Sequence, residues 1–336
     1  MKKTLLLLCC LFSLVSISFS QDIQLTQFYA SPLYLNPAFT GSSGCTRLSF
    51  AYRNQWTGVS KAYSTSLFSI DHALQKNNIA IGLIAGEDQA GTGNLKTTVV
   101  TPSFAYQLNL SRTNALRFGL QTGAVMKKLN FNNLLFGDQL LRSEKGGGDV
   151  TTIETFPHTK TYLDINAGLL LNLNKTWIGV SASHINRPNE SFYYNPTSNI
   201  PIKYSAHIGS NILLNKDEKY APAQKFIAPI IHYKHQQKFD QLDVGFYYTQ
   251  SVLNIGLWYR GIPVLKSYKS GYSNNDALSL IIGIATRKFN IGYSYDITIS
   301  NLSQNTKGSH EISMSYQFCP QKKKKPNPRV VYCPKF

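Results

Sequence analysis

Acidic residues are scarce in this chain: 17 Asp+Glu stand against 34 Lys+Arg, a formal net charge of +17, and charged residues fill only 15% of 336 positions. A soluble domain normally charges about a quarter of its positions, so the chain is charge-poor for that class. Yet 43% apolar residues is too little for a bundle of membrane helices, and beyond the N-terminus no run approaches the ~18 uninterrupted apolar residues such a helix needs. Methionine (3) and proline (14) are few, whereas 23 Gly, 20 Tyr and 18 Phe exclude a disordered or collagen-like chain, because those lack the aromatics that offset the entropy of ordering.

Cysteine is also sparse, 5 in all, and the N-terminus accounts for two. Lys2 and Lys3 precede an apolar run from Leu5 to Val15 that is too short to cross a bilayer, and Ser18 and Ser20 supply the small residues of a cleavage site before Gln21. Residues 1–20 read as a secretory signal peptide. Cys9 and Cys10 lie in its apolar core, which leaves Cys45, Cys319 and Cys333 in the mature chain.

The mature sequence alternates with period 2, the mark of strands with two unlike faces. Leu163, Ile165, Ala167, Leu169 and Leu171 oppose Asp164, Asn166, Gly168, Leu170 and Asn172. Phe289, Ile291, Tyr293, Tyr295 and Ile297 oppose Asn290, Gly292, Ser294 and Asp296, and the last strand sets Ile312, Met314, Tyr316 and Phe318 against Glu311, Ser313, Ser315 and Gln317. Similar runs bring the total to about fourteen strands. A sandwich facing water would carry Lys and Glu on its polar face. Here that face is Gly, Ser, Asn, Thr and Gln, which suits the lumen of a transmembrane antiparallel β-barrel of the outer-membrane type. Connections support it. With the amino terminus periplasmic, the outer ones are long at 128–161, 186–201, 261–275 and 298–309, while those near 110–114, 173–175, 250–252 and 286–288 are tight. Two connections depart from the rule, 236–238 being short and 215–223 long.

The resulting organisation is a signal peptide (1–20), a periplasmic pre-strand segment (21–44), a barrel (45–319) and a basic periplasmic tail (320–336). Closure of a barrel brings Cys45 and Cys319 to the same rim, so a bridge between them is geometrically possible; Cys319–Cys333 is the rival pairing. No metal-ligand spacing occurs among seven histidines, and there is no Gly-x-Ser-x-Gly elbow or carboxylate pair of catalytic type. Neither enzyme activity nor a cofactor or metal is expected.

The run Gln27 to Gly41 (QFYASPLYLNPAFTG), followed by Tyr52-Arg53-Asn54-Gln55-Trp56 and Gly58, resembles the PorP/SprF family of the type IX secretion and gliding machinery. Further similarity lies in Ile79 to Gly86 with Asp88 and Gly91, in Phe136-Gly137-Asp138, in Gly256 to Arg260, and in His310-Glu311. The resemblance implies a non-enzymatic outer-membrane barrel that binds periplasmic parts of the secretion apparatus, and in some members serves a large secreted adhesin. It implies partners in protein secretion and outer-membrane lipid, and export makes nucleic acid an improbable one.

Tyr34, Asn36, Pro37, Ala38 and Gly41 read either as a docking segment or as a plug in the barrel mouth, the bland alternative being a turn. Tyr52, Arg53, Gln55, Trp56 and Gly58 fall at the outer end of the first strand, where Trp56 reads as an interfacial anchor. Arg53 calls for an inward carboxylate, with Glu87, Asp88 or Asp164 as candidates. Lys322, Lys323, Lys324 and Lys325 read as a solvated basic tail or a contact for an acidic periplasmic partner. A scaffold is therefore the first functional expectation. A pore or transporter for a small apolar or anionic solute is the second, and inward Leu170, Tyr247, Trp258 and Ile281 would obstruct it.

Overall fold

The computed structural model describes residues 22–60, 62–74, 78–91, 93–130, 158–192, 198–214, 225–269, 272–300 and 303–319. The expected signal peptide, Cys333 and the basic tail Lys322–Lys325 lie outside these residues, as does Phe136–Asp138. Fifteen strands follow in order: β1 (Thr46–Gln55), β2 (Tyr63–Leu74), β3 (Ile79–Ala90), β4 (Leu95–Asn109), β5 (Asn114–Lys128), β6 (Thr159–Leu173), β7 (Thr176–Ser183), β8 (Lys203–Ser210), β9 (Ile212–Leu213), β10 (Lys225–Gln236), β11 (Phe239–Gln250), β12 (Leu253–Lys269), β13 (Tyr272–Ala285), β14 (Phe289–Thr298) and β15 (Ser309–Phe318). Because β8 and β9 both pair with β10 and are parted only at Asn211, they make one stave of a fourteen-stave ring. Every pairing is antiparallel, and β1 closes the ring by pairing β2 on one side and β15 on the other, from Thr46↔Phe318 to Gln55↔Ser309.

The alternation in sequence is the cause of this architecture. On β14, Phe289 and Tyr293 are exposed while Asn290, Gly292, Ser294 and Asp296 are buried. On β6, Leu163 and Leu169 point outward while Asp164, Gly168, Leu170 and Asn172 are buried. Around the outside Leu48, Phe50, Phe68, Phe118, Ile282 and Met314 join other exposed apolar side chains. In water such a belt would be an aggregation surface, whereas lipid demands it, and closure leaves no strand edge in hydrocarbon. Among the described residues no helix is long and apolar enough to cross a membrane.

Connections sort by rim. Asn174–Lys175 and Ser251–Val252 are two-residue turns that start at positive φ (56° and 58°), and they lie on the rim where β1 begins. By the rule that outer-membrane barrels have short periplasmic turns, this is the periplasmic rim. The other rim carries the connections β5–β6, β7–β8 and β14–β15. The long outer connection expected over 261–275 is instead mostly strand, since β12 runs to Lys269 and β13 resumes at Tyr272. Register shifts follow Arg260, so the two-residue period breaks there and the continuation is invisible to a pattern search.

Cys45 and Cys319 are disulfide-bonded, with Cα atoms 4.9 Å apart. The bond staples the start of β1 to the end of β15 beside the closing seam.

Candidate functional site

The segment before β1 fills the lumen. Asp22 sits at the loop rim and the chain descends through three short helical turns, Phe28–Ala30, Pro32–Leu35 and Pro37–Phe39, to the periplasmic rim at Gly41. Segment 21–44, expected on the periplasmic side, thus lies in its described part along the barrel axis, and only its last residues reach the periplasmic end. Period-2 patterning contains no information about such a segment, because its backbone is neither strand nor long helix.

At the periplasmic end Gly41 N donates to Asp71 Oδ2 (2.7 Å), and Arg47 pairs with Asp71 at 2.9 Å. Arg117 Nε donates to Ala38 O (2.8 Å), and the same guanidinium bonds Thr40 O. Gly41 holds φ +66° where a Cβ would meet Ala80 Cβ at 2.3 Å, so both backbone sign and space demand glycine.

In the middle, Asn36 Nδ2 donates to the carbonyls of Leu169 and Val180 (3.0 Å each), residues paired across β6 and β7, while its Oδ1 accepts from Ala38 N (2.9 Å). Neighbouring Gly168 leaves the room for this, since a Cβ there would lie 2.0 Å from Asn36 Oδ1. Phe28, Tyr29 and Phe39 pack with Leu170, Trp177, Tyr247, Trp258 and Ile281 in one buried cluster. Tyr29 Oη accepts from Trp177 Nε1 (2.8 Å) and contacts His207 Nδ1 at 3.1 Å. Each large apolar plug side chain so buried contributes about 1.5–3 kcal/mol relative to exposure. The four inward side chains expected to obstruct a pore do so by holding the plug.

Above this layer lies a buried ionic clasp. Arg53 reaches Asp296 (2.8 Å) and Glu311 (3.1 Å), and Arg260 reaches Asp243 (2.8 Å) and Asp296 (3.5 Å). Thr26 and Gln27 are held in it: both backbone N–H groups donate to Glu311, at 2.7 and 2.9 Å, and Thr26 Oγ1 donates to Asp296 (2.6 Å). The expected partners of Arg53 are therefore replaced. Glu87 pairs with Lys96 on the outside, Asp88 accepts from Thr65, and Asp164 contacts His184. Closure sets β15, not β3 or β6, beside β1.

At the loop rim Asp22 contacts Lys203 Nζ (2.5 Å) and His184 Nε2 (2.9 Å), and His184 Nδ1 contacts Asp164 at 2.8 Å. Burial disfavours charge on His184, but Asp22 and Asp164 outweigh it and raise the imidazole to about 9. Burial likewise works to raise the Asp22 carboxyl, yet Lys203 and His184 hold it well below the usual carboxylate range. Over this clasp a vestibule of about 720 Å³ opens at the loop rim.

The sequence-read residues divide accordingly. Asn36, Pro37, Ala38 and Gly41 are buried plug residues, so they meet the barrel wall and not a docked partner. Tyr34 donates to Ile23 O (2.8 Å) within the plug. Tyr52 is exposed on the outer face, and Gln55 accepts from Arg53 at 3.3 Å. Trp56, expected as a membrane anchor, borders the vestibule with its ring edge-on to Tyr63 (5.4 Å). It follows the last residue of β1 with φ of +59°, outside the strand's two-residue period. Gly58 N donates to Thr306 O (3.0 Å), and a Cβ there would meet Asn305 O at 2.4 Å. Sequence reasoning assigned no role to Thr26, Asp71, Arg117, Asp243 or Asp296. Thr26, Arg117 and Asp296 meet partners far along the chain, whereas Asp71 and Asp243 pair with Arg47 and Arg260 on the adjacent strand; for the four charged residues the available signal was an inward charge on an otherwise small-residue face.

Among curated proteins none matches the chain. Among solved structures it is similar to the TodX deltaS2S3 mutant monoaromatic hydrocarbon channel, at 12% identity and TM-score 0.49, over 90% of this chain and 96% of that one. It is also similar to the Ralstonia pickettii toluene transporter TbuX, at 12% identity and TM-score 0.47, over 86% of this chain and 94% of that one. The family model described as type IX secretion system membrane protein PorP/SprF matches residues 17–316, so this plugged outer-membrane barrel belongs to the PorP/SprF family.

Proposed function

We propose that this barrel is a non-conducting scaffold of the type IX secretion and gliding apparatus, linking periplasmic machinery to a secreted or surface adhesin. The observation that carries the reading is the plug. A lumen crossed by Leu25–Gly41, hydrogen-bonded to the wall at three levels and packed around Phe28, Tyr29 and Phe39, is obstructed along its axis among the described residues. Such a barrel acts through its rims. Its long outer connections and periplasmic end present surfaces that vary without disturbing the fold, and the basic tail 320–336 adds positive charge suited to an acidic periplasmic partner. Catalysis has no part in this role.

The test is capture of the tagged protein from its own outer membrane in mild detergent, with mass spectrometry of what accompanies it. Periplasmic secretion components or one large adhesin should co-purify, and deletion of 320–336 should weaken the periplasmic set while the barrel stays heat-modifiable on gels. Recovery of the barrel alone, with and without the tail, contradicts the scaffold reading.

A further inference from the structure

The vestibule encloses about 720 Å³, the liquid volume of roughly two dozen water molecules. Most of its charged lining is already paired. Asp22 is taken by Lys203 and His184, Asp240 by Tyr233 and His235, and Asp296 by Arg53 and Thr26. Asp276 lies 3.9 Å from Arg260 and is 45% exposed, so water solvates it.

Lys234 differs from these. Its side chain is 19% exposed, and its nearest carboxylate oxygen, Asp243 Oδ2, stands 3.8 Å away, beyond hydrogen-bond distance. Asp243 already accepts from Arg260 (2.8 Å) and from Gln241 (3.0 Å to each oxygen). Among the described residues Lys234 Nζ has no hydrogen-bond partner. Its ammonium faces the water of the vestibule, and an anion entering there exchanges that water for a charged acceptor beside the cation.

Part of the remaining wall is apolar, set among glutamine, asparagine and serine side chains. Ile23, Leu25, Phe28, Trp56 and Phe239 border the same space. Phe28 brings that surface close to the cation, since its ring centroid lies 4.6 Å from that of His232, two residues before Lys234 on the same face of β10. A small inorganic anion would leave half-buried Ile23, Trp56 and Phe239 facing water, and a neutral hydrocarbon would leave Lys234 without an acceptor. We propose that the vestibule binds an amphipathic organic anion, its carboxylate or phosphate head on Lys234 and its apolar body against Ile23, Trp56 and Phe239. The site lies above the plug, so it is a receptor site facing the exterior and is independent of the scaffold role.

The mature protein, held in amphipol to remove detergent competition, would be titrated with dodecanoate, dodecyl phosphate and dodecanol while tryptophan fluorescence is followed. At least one anion should bind saturably and ten-fold or more tighter than dodecanol. Lys234→Gln should weaken that anion ten-fold or more and leave dodecanol unchanged, and Lys234→Arg should retain binding. Preference for dodecanoate points to a free fatty acid as the natural source, and preference for dodecyl phosphate to a lipid headgroup. Saturable binding of neither anion, dodecanol binding as tightly as both, or an unchanged affinity in Lys234→Gln overturns the proposal. The anion-to-alcohol ratio is read on the wild-type protein, so it decides the matter even if Lys234→Gln fails to assemble.

Discussion

Arg53→Met removes the cation at the centre of the upper clasp without removing much volume. The Arg53 side chain is 3% exposed and its partners Asp296 and Glu311 are 3% and 0% exposed, so the substitution strands carboxylates where water cannot reach them. Breaking a buried pair in this manner costs about 3–5 kcal/mol. Here Arg260 still reaches Asp296 at 3.5 Å, and Glu311 keeps the Thr26 and Gln27 N–H donors, which argues for the lower end, about 3 kcal/mol. Adding Glu311→Gln removes one uncompensated charge and should recover about 1–2 kcal/mol, a coupling of the size expected for residues in one network. The measurement is the urea midpoint of the reconstituted barrel, followed by its heat-modifiable band. An unchanged midpoint in Arg53→Met, or a double variant whose losses simply add, would mean that the clasp does not hold the plug.

Outward Leu169→Arg or Ile291→Arg should each cost about 2–4 kcal/mol near mid-membrane and lower the yield of assembled barrel, while inward Asn166→Arg should be milder; equal assembly of all three contradicts the assigned faces. The Cys45–Cys319 bond spans 274 residues, so Cys45→Ser with Cys319→Ser should lower stability by up to about 5 kcal/mol. Thiol labelling of the denatured, unreduced mature protein should find one reactive cysteine, and three would remove the bond. The Asp22–His184 contact should give a pH dependence of definite sign. His184 is raised to about 9, so its contribution is full below its unfolded value near 6.5 and is lost as pH rises through 9. Asp22 is depressed, so its share is lost only in acid, below the ordinary carboxylate range. The urea midpoint should therefore fall between pH 7 and pH 10, and His184→Gln should flatten that fall; identical profiles would show that the contact contributes nothing.

The barrel was legible in the sequence because lipid and a packed lumen impose opposite demands on alternate residues. Gly168 beside Leu169 and Ile291 beside Gly292 carry that information locally. The plug was legible only as one of two uses for Asn36-Pro37-Ala38, since its backbone has no period. The partner of Arg53 was missed: Glu311 lies 258 positions away and becomes a neighbour through the same ring closure that joins Cys45 and Cys319, a closure followed for the cysteines and not for Arg53. His310-Glu311 and Gly256–Arg260 carried family resemblance, but that gave no hint that Glu311 and Arg260 grip Thr26. The vestibule contact of Trp56 was not legible for a related reason, because a single positive φ just past the end of β1 takes the residue out of the strand period.

Current through single barrels in a planar bilayer bears most directly on the plugged-scaffold reading. The wild-type protein should insert without adding steady current above the bilayer leak, because Leu25–Gly41 closes the lumen. A stable ohmic conductance from correctly oxidised, heat-modifiable wild-type barrel would contradict the closed lumen and return the pore to first place.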